Sequence, residues 1–319
     1  MCKIIDGHSH VLTNEYIEFI FKNGAELEDG FALPNWSVEN HIKVMEECGI
    51  AWSMLSVSSP HPFFGNDEEC IALTRRMNEE IAAIKKQHPG KFGFCASLPL
   101  PNVEAAVEEA IYSLDVLSAN GVKFASNSRG LYLGDKKLDP IFHELNKRSA
   151  VVFIHPHRPE PIKEGLFSSG PVPLYEFLCD TTRAVLNMMA NGVLTRYPNV
   201  KVIVPHCGAF LPNIVSRMES LQPILMQNGL LDQAIDVRDN LSRLYFDLAG
   251  TPVPHNLPYL LTIARPDQLI YGADYPFTPA PLVKKNLETL LHFLDENETL
   301  RVYQDQILEG NARQLFGLH

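Results

Sequence analysis

Short, almost uninterrupted apolar runs alternate along this chain with longer segments whose apolar residues recur every three or four positions. The runs are centred on Ile4, Met54, Phe94, Val122, Phe153, Ile203, Phe246 and Ile270. A run of this length, apolar on both faces, is the pattern of a strand buried in a parallel sheet. The segments between them read as amphipathic helices with recognisable ends. Ser37 caps a helix carrying Val38, Ile42, Met45 and Cys48 on one face, and Gly49 closes it. Asn66 or Asp67 starts a second helix that stops before Pro89, and Asn102 caps a third. The pair Asp139-Pro140 predicts a cap followed by a first-turn proline, and the C-terminal pattern predicts helices around 287–294 and over 303–316. Eight strand–helix units predict an α/β fold, a closed (β/α)8 TIM barrel, as one domain over 1–319 with loop insertions. The alternative is an open doubly wound sheet, but no glycine-rich fingerprint follows the first strand.

Composition narrows the partners. With 27 basic against 38 acidic residues, the net charge of −11 disfavours nucleic acid and anionic membranes as bulk electrostatic partners. No apolar run reaches membrane-spanning length, and the first strand begins too early to leave room for a signal peptide, so the expected location is the cytoplasm. Six scattered cysteines without a CxxC spacing fit reduced, packed thiols.

The candidate chemistry lies where the strands end. His8 and His10, two residues apart on the first strand, leave the backbone on the same face and offer two imidazoles to one point. Taken alone, the pair reads equally as exposed or capping histidines. The fifth strand ends on His155, the sixth runs into His206, and the eighth into Asp274. A barrel brings all these ends to one mouth, where three imidazoles and a carboxylate suit a catalytic divalent metal with open positions. Each residue also has a plain structural reading, as a hydrogen-bonded core histidine or a turn aspartate. Their coincidence at four strand ends favours the metal.

The ordered set His8-Ser9-His10, His155-Pro156, His206-Cys207-Gly208 and Gly272-Ala273-Asp274-Tyr275-Pro276 resembles the amidohydrolase superfamily. It is similar in particular to the amidohydrolase-2 branch of aminocarboxymuconate-semialdehyde decarboxylase and the aromatic acid decarboxylases. Trp36-Ser37, Ser56-Val57-Ser58, Leu98-Pro99-Leu100 and Tyr132-Leu133-Gly134-Asp135 resemble its 6-methylsalicylate decarboxylase-like members. The resemblance implies metal ligands His8, His10, His155 and Asp274, with His206 beside the metal as acid/base, and it suggests a homodimer. Several aromatic decarboxylases of the branch carry Glu at the position of His8. Three imidazoles favour zinc, with manganese as the alternative.

The implied reaction is non-oxidative decarboxylation of a small aromatic or enoic carboxylic acid, with Asp274 giving a proton to carbon. Its rival is hydrolysis of a lactone, amide or ester by activated water. Arg217 and Arg129 are candidates for the substrate carboxylate, although a lone arginine is more often a solvated or paired surface residue. Asp247, ending the seventh strand, either holds His206 or a loop, or simply caps. Lys123 raises a two-metal variant if carbamylated, against a lysine that snorkels or pairs. Cys207 reads as packed and not reactive. Phe31, Trp36, Phe63 and Phe64 either stack on a flat ring or serve as loop packing.

Overall fold

A computed structural model describes residues 3–160 and 171–318 of the chain. Of the predicted proline-rich loop that follows His155, the part over 161–170 lies outside the described residues. Eight parallel strands lie side by side in sequence order: β1 (Ile4–His10), β2 (Ile50–Ser56), β3 (Phe92–Ser97), β4 (Gly121–Ala125), β5 (Val151–His155), β6 (Lys201–Val204), β7 (Leu244–Asp247) and β8 (Leu269–Ile270). All eight predicted centres fall inside them. Between β8 and β1 the barrel closes through main-chain bonds just beyond the short last strand. Gly7 N–H donates to the Tyr271 carbonyl at 2.8 Å and His10 N–H to the Tyr275 carbonyl at 2.7 Å.

The two-residue period sorts each strand between two apolar regions. On β5, Val152 and Ile154 face the large core beneath the outer helices, while Val151 and Phe153 face the barrel interior. The same alternation carries His155 inward one step above Phe153. Ile5, Trp52, Met54, Cys95, Ile203 and Ile270 fill the rest of the interior, and Ala312, Leu315 and Phe316 of the closing helix Asn311–Phe316 plug its lower end. Among the described residues the barrel interior is therefore a packed core.

Three predicted caps appear as expected: Ser37, Asn66 and Asn102 side chains accept from Asn40, Glu69 and Ala105 N–H at 3.2, 3.2 and 3.0 Å. Asp139 does not cap. Asp135 caps a tight turn over Lys136–Leu138 that leads straight into the helix Asp139–Lys147, and Asp139 instead meets Arg196 at 2.7 Å. The predicted helix over 303–316 forms as one helical run over 304–316 that contains a widened turn, Gln306–Gly310, and the short helix Glu298–Arg301 precedes it. Among the described residues no helix is long and apolar enough to cross a membrane. The five described cysteines are all free of disulfides.

Candidate metal centre and cavity

At the carboxyl mouth of the barrel the histidines meet. His8, His155, His206 and Asp274 each bring one ligand atom within 4.8 Å of the others. His10 adjoins the same point, its Nε2 3.1 Å from His8 Nε2 and 3.2 Å from Asp274 Oδ1. Two four-residue sets thus share His8, His155 and Asp274 and differ in whether His10 or His206 completes them.

The ring anchors distinguish the four histidines. His8 Nδ1 is 2.8 Å from Asp247 Oδ2, His10 Nδ1 is 3.2 Å from the Ser56 carbonyl, and His155 Nδ1 is 3.0 Å from the Pro156 carbonyl. A proton held on Nδ1 by an oxygen leaves the Nε2 lone pair directed away from it, which is how metal-binding imidazoles are oriented. The Nδ1 of His206 is buried without a partner. Its Nε2 lies 3.8 Å from Asp274 Oδ2, and its side chain is 17% exposed, whereas those of His8 and His10 are fully buried. The donor set, with three anchored imidazoles converging on a carboxylate, fits a divalent transition metal.

Electrostatics follow from this crowding. Burial, with cationic neighbours behind it, pushes His10 down to about 4 and His155 well below the ordinary imidazole value, so both are neutral and able to ligate. Burial opposes charge on His8 as well, but the Asp247 carboxylate outweighs it and raises the pKa. Burial likewise opposes charge on Asp274, yet hydrogen bonds from His10 and His206 and the charge of His8 hold it well below the usual carboxylate range.

Local backbone explains the aim of these groups. His206, Cys207 and Ala209 have φ of 55°, 53° and 53°, and Asp274 has φ of 56°, all left-handed. Such conformations in non-glycine residues are uncommon and cluster at functional sites. Asp247 does two things at once: besides orienting the His8 ring, its Oδ1 accepts the His206 N–H at 2.9 Å and the Ala249 N–H at 3.1 Å. Asp6 was not singled out by the sequence for any role. Fully buried, it accepts from His8 N–H at 3.0 Å, Ala273 N–H at 2.9 Å, Ser53 Oγ at 2.8 Å and Ser9 Oγ, tying β1 and β2 to the Asp274 turn. The signal available was a carboxylate inside an apolar strand, which requires donors. Gly272 has to be glycine: a Cβ there lies 2.8 Å from the His8 Cβ and 3.2 Å from that of Ala249.

Above this floor opens a cavity of about 590 Å³ to which His155, His206, Asp274 and Ser58 contribute. Its walls are Phe31, Leu174, Phe177, Leu178, Phe210, Tyr259 and Phe277, with Asn213, Thr251 and Asn256 as polar groups. Phe31 is the one predicted aromatic that lines it. Trp36 donates its indole N–H to His41 Nδ1 at 3.0 Å, and Phe63 lies in an outer loop whose carbonyl accepts from Arg129 Nε at 2.9 Å. Neither borders the cavity. Nor do the two arginines. Arg129 is taken by Glu28 at 2.8 Å and Glu160 at 2.9 Å and lies over the Phe64 ring, while Arg217 is on the exposed side of the helix Leu211–Gln227. No arginine or lysine occurs among the described lining residues. Lys123 is buried, which lowers its pKa to about 8, and it donates to the Ser58 carbonyl at 3.1 Å. Burial pushes the Cys207 thiol well up, in keeping with a packed residue. Phe210 and Phe277 follow the His206 and Asp274 motifs within four residues, so the rule that residues after barrel strands line the mouth had them in reach.

Comparison with known proteins places this arrangement. A family model described as Amidohydrolase matches residues 5–318. The chain is 30% identical over 318 residues to 6-methylsalicylic acid decarboxylase of Penicillium expansum, covering 98% of this chain and 95% of that one. It is 34% identical to a solved amidohydrolase II, with a TM-score of 0.90 over 98% of this chain and 99% of the other. The fold is also that of a dihydroxybenzoic acid decarboxylase of Polaromonas sp. solved with manganese and the inhibitor 2-nitroresorcinol, at 19% identity and a TM-score of 0.82 over 100% and 98% of the two chains. Matched over nearly its whole length by the family model and by a relative at 30% identity, this chain belongs to the amidohydrolase family.

Proposed function

We propose that the chain, acting as one domain over 1–319, is a metal-dependent non-oxidative decarboxylase of a small hydroxy-aromatic carboxylic acid. The observation that carries this reading is the pairing of His206 and Asp274, 3.8 Å apart, beside three anchored imidazoles and beneath walls of aromatic rings. His8, His10, His155 and Asp274 hold the metal, because His10 has the Nδ1 anchor that His206 lacks. When bound, a divalent ion supplies positive charge that polarises substrate oxygens. Zinc is the first ion to try and manganese the second. The enzyme acts in the cytoplasm, as a pair of copies.

His206, whose Nδ1 has no anchoring partner, takes the proton of the substrate hydroxyl and relays it to Asp274. Asp274, held ionised at rest by His10, His206 and His8, gains its proton only through this relay and then gives it to the ring carbon bearing the carboxylate. The carbon–carbon bond then breaks, its electron pair returns to the ring, CO2 leaves, and the phenolate takes a proton from solvent through His206. Stacking on Phe31 and Phe277 holds the ring flat; Phe277 itself packs edge-on against His10, with centroids 5.3 Å apart. No observation at the site favours the hydrolytic alternative.

The test is CO2 release from a panel of hydroxybenzoic acids by protein reconstituted with zinc or manganese. Chelation abolishes it and either added ion restores it. Turnover of lactones or esters, with none of the acids, would overturn the assignment.

A further inference from the structure

The cavity is far larger than one ring needs. A cavity of about 150 Å³ is enough to bind benzene. This one, at about 590 Å³, lies in the range that holds ligands of several rings or long substituents. The excess space is also lopsided. Phe177 lies against the floor, its ring centroid 6.2 Å from that of His155. From there Leu178 and Leu174 continue the same surface outward, and Leu174 reaches the rim 65% exposed. Phe210 flanks them, held in place by its N–H donating to Thr182 Oγ1 at 3.0 Å and by the Tyr175 ring 6.0 Å away. A single exposed leucine is unremarkable on a convex surface, but here it extends a concave apolar strip that begins beside the metal ligands. On this side nothing charged interrupts the strip among the described residues.

Resting on the decarboxylase reading, we infer that the site takes a hydroxy-aromatic acid bearing an apolar substituent longer than a methyl group, which lies along Phe177, Leu178, Leu174 and Phe210. The ring and its carboxylate occupy the floor. The substituent runs outward and covers surface that water otherwise wets, so each added methylene strengthens binding by about threefold to fourfold until the strip is full. The paired side chains of Tyr259 and Asn213, hydroxyl to amide oxygen at 3.1 Å, mark the rim where that gain stops.

Binding is measured by calorimetry on zinc-loaded protein with meta-alkylphenols carrying methyl, propyl and pentyl chains, which are the products of the corresponding alkylsalicylates and cannot lose CO2 again. The alkylsalicylates themselves are assayed in parallel for kcat/KM. The expected result is a Kd that falls about threefold to fourfold per methylene, with a gradient flattened in Leu174→Asp, at an exposed position, and in Leu178→Trp, which fills the strip. A Kd that is constant or rises beyond methyl overturns the inference, as does a gradient unchanged in both variants. If the phenols bind with the expected gradient while no acid loses CO2, the decarboxylase reading fails and the shape of the ligand stands. If methylsalicylate is decarboxylated but the longer homologues neither bind nor react, the inference falls alone.

Discussion

The floor and the walls of the same cavity are held by different forces. On the floor every imidazole assigned to the metal has its far nitrogen fixed by an oxygen, and the carboxylates behind them, Asp6 and Asp247, accept four and three hydrogen bonds respectively, from both neighbouring and distant segments. These contacts are directional, and a displaced ring loses its bond. The walls are mostly rings and aliphatic side chains from loops and helix ends, with a few polar links such as Tyr259 to Asn213 and Asn256 to the Thr251 carbonyl. Apolar contact has no direction and tolerates changes of shape. A site built this way keeps its chemistry fixed while its substrate range drifts.

The sharpest way to break the contrast is at the floor. Asp274→Asn is expected to lower kcat by about 10²- to 10⁴-fold, the range for loss of a general acid. Metal analysis of the variant separates a lost donor from a lost ligand, and near-normal turnover would remove Asp274 from the chemistry. Next comes Asp29, which joins floor to wall: its carboxylate accepts from Ser59 Oγ, while its carbonyl accepts from Val172 N–H at 2.9 Å. Burial raises its pKa from 3.8 to about 6. The folded state therefore holds this proton more tightly than the unfolded one. That stabilisation is complete below pH 3.8 and is lost as pH rises through about 6, amounting to at most about 3 kcal/mol. Thermal melts of wild type and Asp29→Asn between pH 5 and pH 7 should show a decline with rising pH that is smaller in the variant. A smaller effect is expected from Asp247→Ala, a loss of about 10- to 100-fold in metal affinity measured by competition with a chelator. The smallest is Phe277→Leu on the wall, a rise in KM of a few-fold with kcat nearly unchanged. If this wall variant costs kcat as much as Asp274→Asn does, the division between floor and wall is wrong.

The same division decided what could be read from the sequence. Strands announce themselves by local pattern, and a barrel rule converts four strand ends into one mouth, so His8, His10, His155, His206 and Asp274 were found without coordinates. The cap at Ser37 was legible because a cap and its target are three residues apart. Asp139 was misread because an earlier cap, Asp135, starts the turn first, and local pattern ranks such rivals poorly. Arg129 could not be placed, since one of its partners, Glu28, is 101 residues away. The cavity walls were hidden for a related reason: Leu174, Phe210 and Tyr259 come from separate loops and helix starts, and nothing in their own neighbourhoods indicates that they share a surface.

The left-handed backbone at positions 206 and 274 bears on how this enzyme can be edited. Asparagine, aspartate and histidine are the side-chain-bearing residues most at ease in that region, and β-branched residues are the least. Replacing either proposed catalyst by asparagine therefore alters the side chain while leaving the loop its accustomed path, whereas valine or isoleucine confounds lost function with a bent chain. Random libraries at these two codons should accordingly retain soluble protein chiefly through a narrow, polar subset of substitutions.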